Sequence, residues 1–217
     1  MRADIVAPMS GETPVGAVVL DIGNVVVRWD VRALYRKIFD DESEMERFLS
    51  EVWTPMENFR CDRGEPYAAV IAETVARHPG YREAIEAAWD RWIETVPGPV
   101  DGSLELMEEL RGIGLRLVAL SNFSAETFPK VRGTYPHFDL FDDIVISGEH
   151  PPLAKPEPGI YELVCERNRL EPGACVFVDD TAVNTAAAEA LGFRTVTFTD
   201  TPALRIELRA MGVDIAP

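Results

Sequence analysis

The chain has 217 residues, 47% of them hydrophobic, and a formal net charge of −16 from 37 acidic against 21 basic residues. That size supports one good core with room for a smaller inserted module. With no basic run to set against so negative a field, nucleic acid is excluded as a favoured partner, and an anionic ligand must be drawn in by a local device such as a metal ion, a lysine or a helix N-terminus.

Residues 1–16, MRADIVAPMSGETPVG, lack the apolar centre of a secretory signal and read as a flexible N-terminal lead. Nowhere does an apolar run approach the ~20 residues of a membrane span, so no membrane partner and a soluble, cytoplasmic protein are expected. Five runs rich in Val, Ile, Leu and Phe have the length of buried strands: AVVL (17–20), LRLVAL (115–120), DIVIS (143–147), CVFVD (175–179) and RTVTF (194–198). Helical periods separate the later ones. Leu104, Met107 and Leu110 share a face before Gly112 and Gly114; Ile160, Leu163, Val164 and Cys165 follow KPEP; Val183, Ala187, Ala190 and Leu191 precede Gly192. Strand alternating with helix predicts an α/β fold, a doubly wound, Rossmann-like parallel sheet.

One stretch breaks the rhythm. From Val31 to Val96 only helical periods occur, over 31–39, 43–52, 65–77 and 81–95, which is too long for a crossover and predicts an inserted α-helical cap. PGP at 97–99 marks the return, and Asp30 is expected to cap the first inserted helix. The expected division is therefore 1–16 lead, 17–30 and 98–217 Rossmann-like core, and 31–97 cap. Cys61, Cys165 and Cys175 are odd in number and match no ligand spacing, which predicts a reducing compartment and packing roles.

In an open parallel sheet, ligands bind beyond the C-terminal strand ends. Those ends carry Asp21, then Ser121 and Asn122, then a loop leading to Lys155, then Asp179 and Asp180. A carboxylate fixed at a strand end can attack phosphorus or carbon and hold a covalent intermediate. Mg²⁺ takes one or two carboxylates with a substrate phosphate, which Asp21 and Asp180 supply with Asp179 in support. Lys155 offsets the charge between nucleophile and phosphoryl group, and Ser121 with neighbouring backbone N–H groups donates to its oxygens. Placing Asp21 beside Asp179 and Asp180 makes the first and fourth of the five strands neighbours, which predicts the order 5-4-1-2-3.

The series LDIGNVVV, LSN, KPEPGIY and FVDDTAVNTAAAEALGF resembles the four motifs of the haloacid dehalogenase-like hydrolase superfamily, with a helical cap after the first. Its DxGNV form is similar to that of small sugar-phosphate phosphatases, including a glucose-1-phosphate phosphatase. The resemblance implies Asp21 as nucleophile, Ser121 as phosphate-binding hydroxyl and Lys155 as charge-balancing lysine. It also implies Asp180 as metal ligand with Asp179 beside it, and the Gly23 carbonyl as a further metal contact. Asn24, Ser121, Asn122 and Lys155 are expected to bind substrate, and Asn184 to orient Asp180 or the first-motif loop. The implied protein is a Mg²⁺-dependent phosphatase of small phosphate monoesters, working through an aspartyl-phosphate intermediate as a monomer or homodimer.

Phosphatases of this kind commonly carry an aspartate two residues after the nucleophile, where this chain has Gly23. Three alternatives follow. A 2-haloacid dehalogenase needs no such acid, but needs an arginine, for which Arg47 and Arg60 are available. Phosphonate cleavage through an imine would need a cap lysine, here Lys37. A catalytically silent ligand-binding relative could dispense with the acid. If the protein is a phosphatase, the proton comes from a cap acid such as Glu57, from water, or is less needed because the leaving group is acidic, as in a sugar 1-phosphate. His78, His137 and His150, and Trp53, Trp89 and Trp92, are read as packing or surface groups, with His150 nearest the site; Tyr161 is read as packing its helix.

Overall fold

The computed structural model describes residues 13–216; residues 1–12 of the expected lead, and Pro217, lie outside the described residues. Seven strands form: β1 (Ala17–Leu20), β2 (Val27–Arg28), β3 (Gly98–Pro99), β4 (Arg116–Ser121), β5 (Asp143–Ile146), β6 (Cys175–Asp179) and β7 (Arg194–Thr197). Five of them make a parallel sheet in the order β5-β4-β1-β6-β7, while β2 and β3 pair antiparallel as a separate ribbon. The expected numerals 5-4-1-2-3 therefore do not stand as written. Val27–Arg28 and Gly98–Pro99 are too short to carry a period, so they were absent from the sequence count. With every strand counted, β1 lies between β4 and β6.

Alternation along the strands explains the two covered faces. Val18, Leu20, Leu117, Ala119, Val176 and Val178 point to one side, where α6 (Ser103–Gly112) and α10 (Thr201–Ala210) bury Leu106, Leu110, Leu204 and Leu208 against them. Ala17, Val19, Val118, Leu120, Val145 and Phe177 point to the other, against Ile160, Tyr161 and Val164 of α8 (Pro158–Asn168) and Ala188 of α9 (Ala182–Ala190). A strand apolar at every position is what two covered faces require.

Between β2 and β3 lie α1 (Val31–Tyr35), α2 (Glu42–Glu51), α3 (Pro55–Asp62), α4 (Tyr67–Arg77) and α5 (Arg82–Asp90), with a 3₁₀ turn at Trp92–Thr95. Asp30 caps α1 as expected, its carboxylate accepting from the Arg32 N–H. Helix α3 was not expected. Its signature is a capping box: Thr54 accepts from the helix backbone, Glu57 accepts from the Thr54 N–H at 2.9 Å, and Pro55 starts the helix. The β2–β3 ribbon clasps the two ends of this helical segment, aided by an Arg28–Asp101 ion pair and by Asp30 N–H donating to the Thr95 carbonyl. The remaining short helix, α7 (Phe128–Arg132), follows β4.

The helical segment also meets the core beyond its ends. The Ser147 hydroxyl donates to the Asp62 carbonyl at 2.5 Å and accepts from the Phe123 N–H, while Arg63 pairs with Glu157 at 2.6 Å. Gly148 lets the two core loops approach: a Cβ there would lie 2.7 Å from the Phe123 carbonyl and closer still to the Ala125 nitrogen. Gly148→Ala should therefore destabilise the protein by about 1–3 kcal/mol through overpacking against backbone, read as a lowered urea midpoint at unchanged m-value.

Candidate active site

The sheet register sets the first fact of the site. Leu20 is level with Val178 on β6 and Ala119 on β4, so the next residue, Asp21, comes level with Asp179, and its N–H donates to the Val178 carbonyl at 2.8 Å. Two carboxylates on adjacent strand ends would repel each other. Lys155 resolves this: its Nζ lies 2.9 Å from Asp21 and 2.6 Å from Asp179, and also donates to the Leu120 carbonyl at 3.0 Å. The lysine side chain is 1% exposed and that of Asp179 0%, so the ion pairs are sealed from water on that side.

Burial opposes charge on Lys155, yet Asp21 and Asp179 together outweigh it and hold the ammonium above its ordinary range. Burial also pushes the Asp21 carboxyl up, to about 6; Lys155 opposes that rise and Asp179 adds to it. Ser121, the last residue of β4, lines the cavity with Asp21 and favours its charged form. Asp179 is fully engaged, accepting from Lys155, from the Thr181 N–H at 2.9 Å and from the Asn184 amide at 3.0 and 3.2 Å. Asp180 keeps a more open carboxylate, held by Asn24 at 3.0 Å and the Thr181 hydroxyl at 3.2 Å.

A cavity of about 250 Å³ opens over these groups, lined by Asp21, Gly23, Ser121, Lys155 and Asp180. Asp21, Asp179 and Asp180 each offer an oxygen within 4.8 Å of the others. Asp21 and Asp180 face the cavity, whereas Asp179 does not line it. The Gly23 carbonyl accepts no hydrogen bond among the described residues. An all-oxygen set of two carboxylates and one carbonyl suits a hard divalent cation.

Several expectations need correcting. Asn122 lines the cavity with part of its amide engaged: it accepts from the Lys155 N–H at 2.8 Å and donates to the Lys155 carbonyl at 2.9 Å, clamping that residue's backbone. Asn24 is occupied too, joining Asp180 to the Trp29 N–H from a left-handed backbone, φ 57°. Asn184 orients Asp179 rather than Asp180 or the first-motif loop, and its carbonyl accepts from the Tyr161 hydroxyl at 3.0 Å. Glu57 is engaged in the α3 capping box and with Arg77 at 3.1 Å, and does not line the cavity. Burial works against its charge, but the bonds from Thr54 and Arg77 outweigh burial and hold the carboxyl low, the wrong direction for an acid.

The other candidates also lie elsewhere. Lys37 pairs with Glu94 at 2.8 Å, Arg60 with Glu65 and Glu73, and Arg47 with the Tyr81 hydroxyl, and none lines the cavity. His150 does not line it either; Trp53 and Trp89 pack the helices, and Trp92 both packs and faces the cavity.

Asp62 was missed. Asn58 and Asp62, four residues apart on α3, present one helix face to the cavity. Burial pushes the Asp62 carboxyl up to about 7; a Ser124 backbone N–H opposes, the Asp21 charge adds and Lys155 opposes. The signal was the Thr54–Pro55–x–Glu57 capping box, which announces α3 and therefore its face. Gly23 answers the other half of the problem. A Cβ there would meet only the Trp29 Cβ, at 3.9 Å, so neither space nor backbone demands glycine.

A parallel α/β sheet thus carries a cavity-facing carboxylate, a buried lysine and a paired-acid motif at its C-terminal edge, the place where such sheets bind ligands. The model of the haloacid dehalogenase-like hydrolases matches residues 15–192, and the chain belongs to that family. A sesquiterpene phosphatase of Aspergillus oryzae is 26% identical over 199 residues, 90% of this chain and 95% of that one. Among solved structures, the magnesium complex of an HAD family enzyme from Bacteroides thetaiotaomicron aligns with a TM-score of 0.72 at 21% identity, over 91% of this chain and 100% of that one. An HAD-like hydrolase from Porphyromonas gingivalis gives 0.71 at 20% identity, over 91% and 99%. Among the described residues no helix is long and apolar enough to cross a membrane.

Replacing Lys155 by Met would leave Asp21 and Asp179 as uncompensated neighbours, one of them fully buried. That change should destabilise the fold by about 3–5 kcal/mol, measured by urea unfolding at neutral pH.

Proposed function

We propose that this protein is a Mg²⁺-dependent phosphatase of small phosphate monoesters, with Asp21 as nucleophile and residues 31–97 as a cap over a core of 17–30 and 98–217. The observation that carries this reading is Lys155 shared between Asp21 and Asp179, beneath a cavity that Asp21 and Asp180 enter together. The phosphatase named among the relatives agrees with it. Asp21, Asp180 and the Gly23 carbonyl would hold Mg²⁺, which when bound supplies positive charge against the phosphoryl oxygens.

The remaining chemistry falls to the chain's own residues. An Asp21 carboxylate oxygen forms the bond to phosphorus while the ester P–O bond breaks, with Ser121 donating to a phosphoryl oxygen and Lys155 offsetting its charge. Asp62 gives its proton to the departing ester oxygen. Water then attacks the aspartyl-phosphate, Asp62 takes that water's proton, and phosphate leaves with the Asp21 carboxylate restored. Asp62 thus does from the cap what an acid at position 23 would do from the loop. A dehalogenase would need a cation for the haloacid carboxylate, and no arginine lines the cavity among the described residues.

Asp21→Asn should abolish turnover of p-nitrophenyl phosphate with Mg²⁺ while the fold stays intact; near wild-type activity would remove Asp21 from the role. Asp62→Asn should cost about 10²–10⁴-fold in kcat on alkyl phosphates and much less on p-nitrophenyl phosphate, whose leaving group departs without a proton. Asp62 must be protonated to act, so wild-type activity on alkyl esters should fall as pH rises through about 7. In the Asn variant that alkaline limb should vanish. Gly23→Asp added to Asp62→Asn should recover part of the lost rate, since the added Cβ has room.

A further inference from the structure

We infer, on the basis of the phosphatase reading, that the site takes monophosphates of uncharged, apolar alcohols rather than sugar phosphates or phosphorylated acids. Two independent features of the cavity wall point there: what its apolar side chains offer, and which polar side chains are already engaged.

Away from the phosphate-facing groups, the wall is built from Val27, Trp29, Tyr67, Trp92, Val96 and Phe123. Trp92 and Phe123 pack at 5.4 Å between ring centroids, giving one continuous aromatic surface. Trp29 is 38% exposed, a large apolar side chain left open beside the site while its backbone is fixed by Asn24. A second, much smaller cavity shares Trp29, Asn58 and Trp92 with the first and continues among Leu34, Trp53 and Ala88. The apolar lining therefore continues into the helical segment, although this second cavity, at about 10 Å³, is only water-sized.

The amides that could read sugar hydroxyls are tied to neighbours, which leaves Asn24 and Asn122 one N–H each. Asn24 joins Asp180 to Trp29, Asn122 clamps the Lys155 backbone at both ends, and Asn184 holds Asp179. From the helical segment Asn58, Asp62 and the Tyr67 hydroxyl are the polar side-chain groups on the wall, few for a ring carrying several hydroxyls, each of which loses water on binding. A second anionic group fares worse. Lys155 is the one cationic side chain lining the cavity among the described residues, and it is already shared by Asp21 and Asp179, while Asp180 would repel a carboxylate or a further phosphate.

The test is a kinetic panel with Mg²⁺: 2-phenylethyl phosphate and geranyl phosphate as aryl and isoprenoid apolar esters, against glucose 1-phosphate, glucose 6-phosphate and phosphoglycolate. The apolar esters should lead in kcat/KM by about 10–200-fold. The stronger of the two identifies whether the wall reads a ring or a branched chain. Trp29→Ser, at an exposed position, should raise KM for the apolar esters several-fold and change that for glucose 6-phosphate less. A sugar phosphate or phosphoglycolate turned over as well as the apolar esters overturns the inference and leaves the phosphatase reading standing. Calorimetric titration of Asp21→Asn separates the two readings. Binding of 2-phenylethyl phosphate in preference to glucose 6-phosphate, with no ester turned over by the wild type, overturns the phosphatase reading alone. No turnover and no such binding overturns both.

Discussion

The site depends on one buried lysine held between two carboxylates. Parallel register brings Asp21 and Asp179 level on adjacent strands, and a sheet wound this way cannot separate them without losing its pairing. Lys155 makes their proximity tolerable, and its own place is fixed by the Leu120 carbonyl and by both ends of the Asn122 amide. The consequence for the motif at 179–180 is a division of labour. Asp179, closed in by Lys155, Thr181 and Asn184, serves to position, which leaves Asp180 as the acid open to a ligand. A like-charge cluster of this kind is costly unless a cation completes it, and the net charge of the lysine with two aspartates is still negative. A divalent metal held as proposed by Asp21 and Asp180 would lower that cost, which would tie metal affinity to the same geometry.

Gly23 and Asp62 are two sides of one arrangement. An acid at position 23 would be fixed by the first-motif loop and present whether or not the helical segment sat over the site. An acid on α3 is different, because it reaches the cavity only while the segment stays docked through Ser147, Arg63 and the β2–β3 ribbon. In the proposed mechanism the proton is thus delivered by the element that shields the reaction from water.

The sheet was legible because five apolar runs and the helical periods between them are long enough to show a pattern, and the site acids because their strand ends converge. The β2–β3 ribbon was not, since two-residue strands have no period and their pairing joins positions about seventy residues apart. Helix α3 was hidden for another reason. PMENFRCD carries few apolar residues, and only Cys61 and Glu57 of it are buried, so the capping box rather than a hydrophobic face marks it. Missing α3 led to choosing Glu57, whose carboxylate the capping box engages, instead of Asp62 one turn and a residue beyond it. The amides Asn24, Asn122 and Asn184 were correctly gathered at the site, but residue type alone could not say that each would be turned inward to hold a neighbour.

That inward turning also bears on what the protein selects. With the amides tied to Asp180, Lys155 and Asp179, the core would contribute a seat for one phosphoryl group and, through Val27, Trp29 and Phe123, part of the apolar wall beside it. Discrimination then falls to Trp29 beside β2 and to Asn58, Asp62, Tyr67 and Trp92 of the helical segment. The formal charge of −16 sharpens the point, because the protein's overall field disfavours anions and each additional negative group on a substrate meets it again. A monophosphate on an apolar body presents the least charge consistent with the seat and recovers affinity from aromatic surface that would otherwise face water.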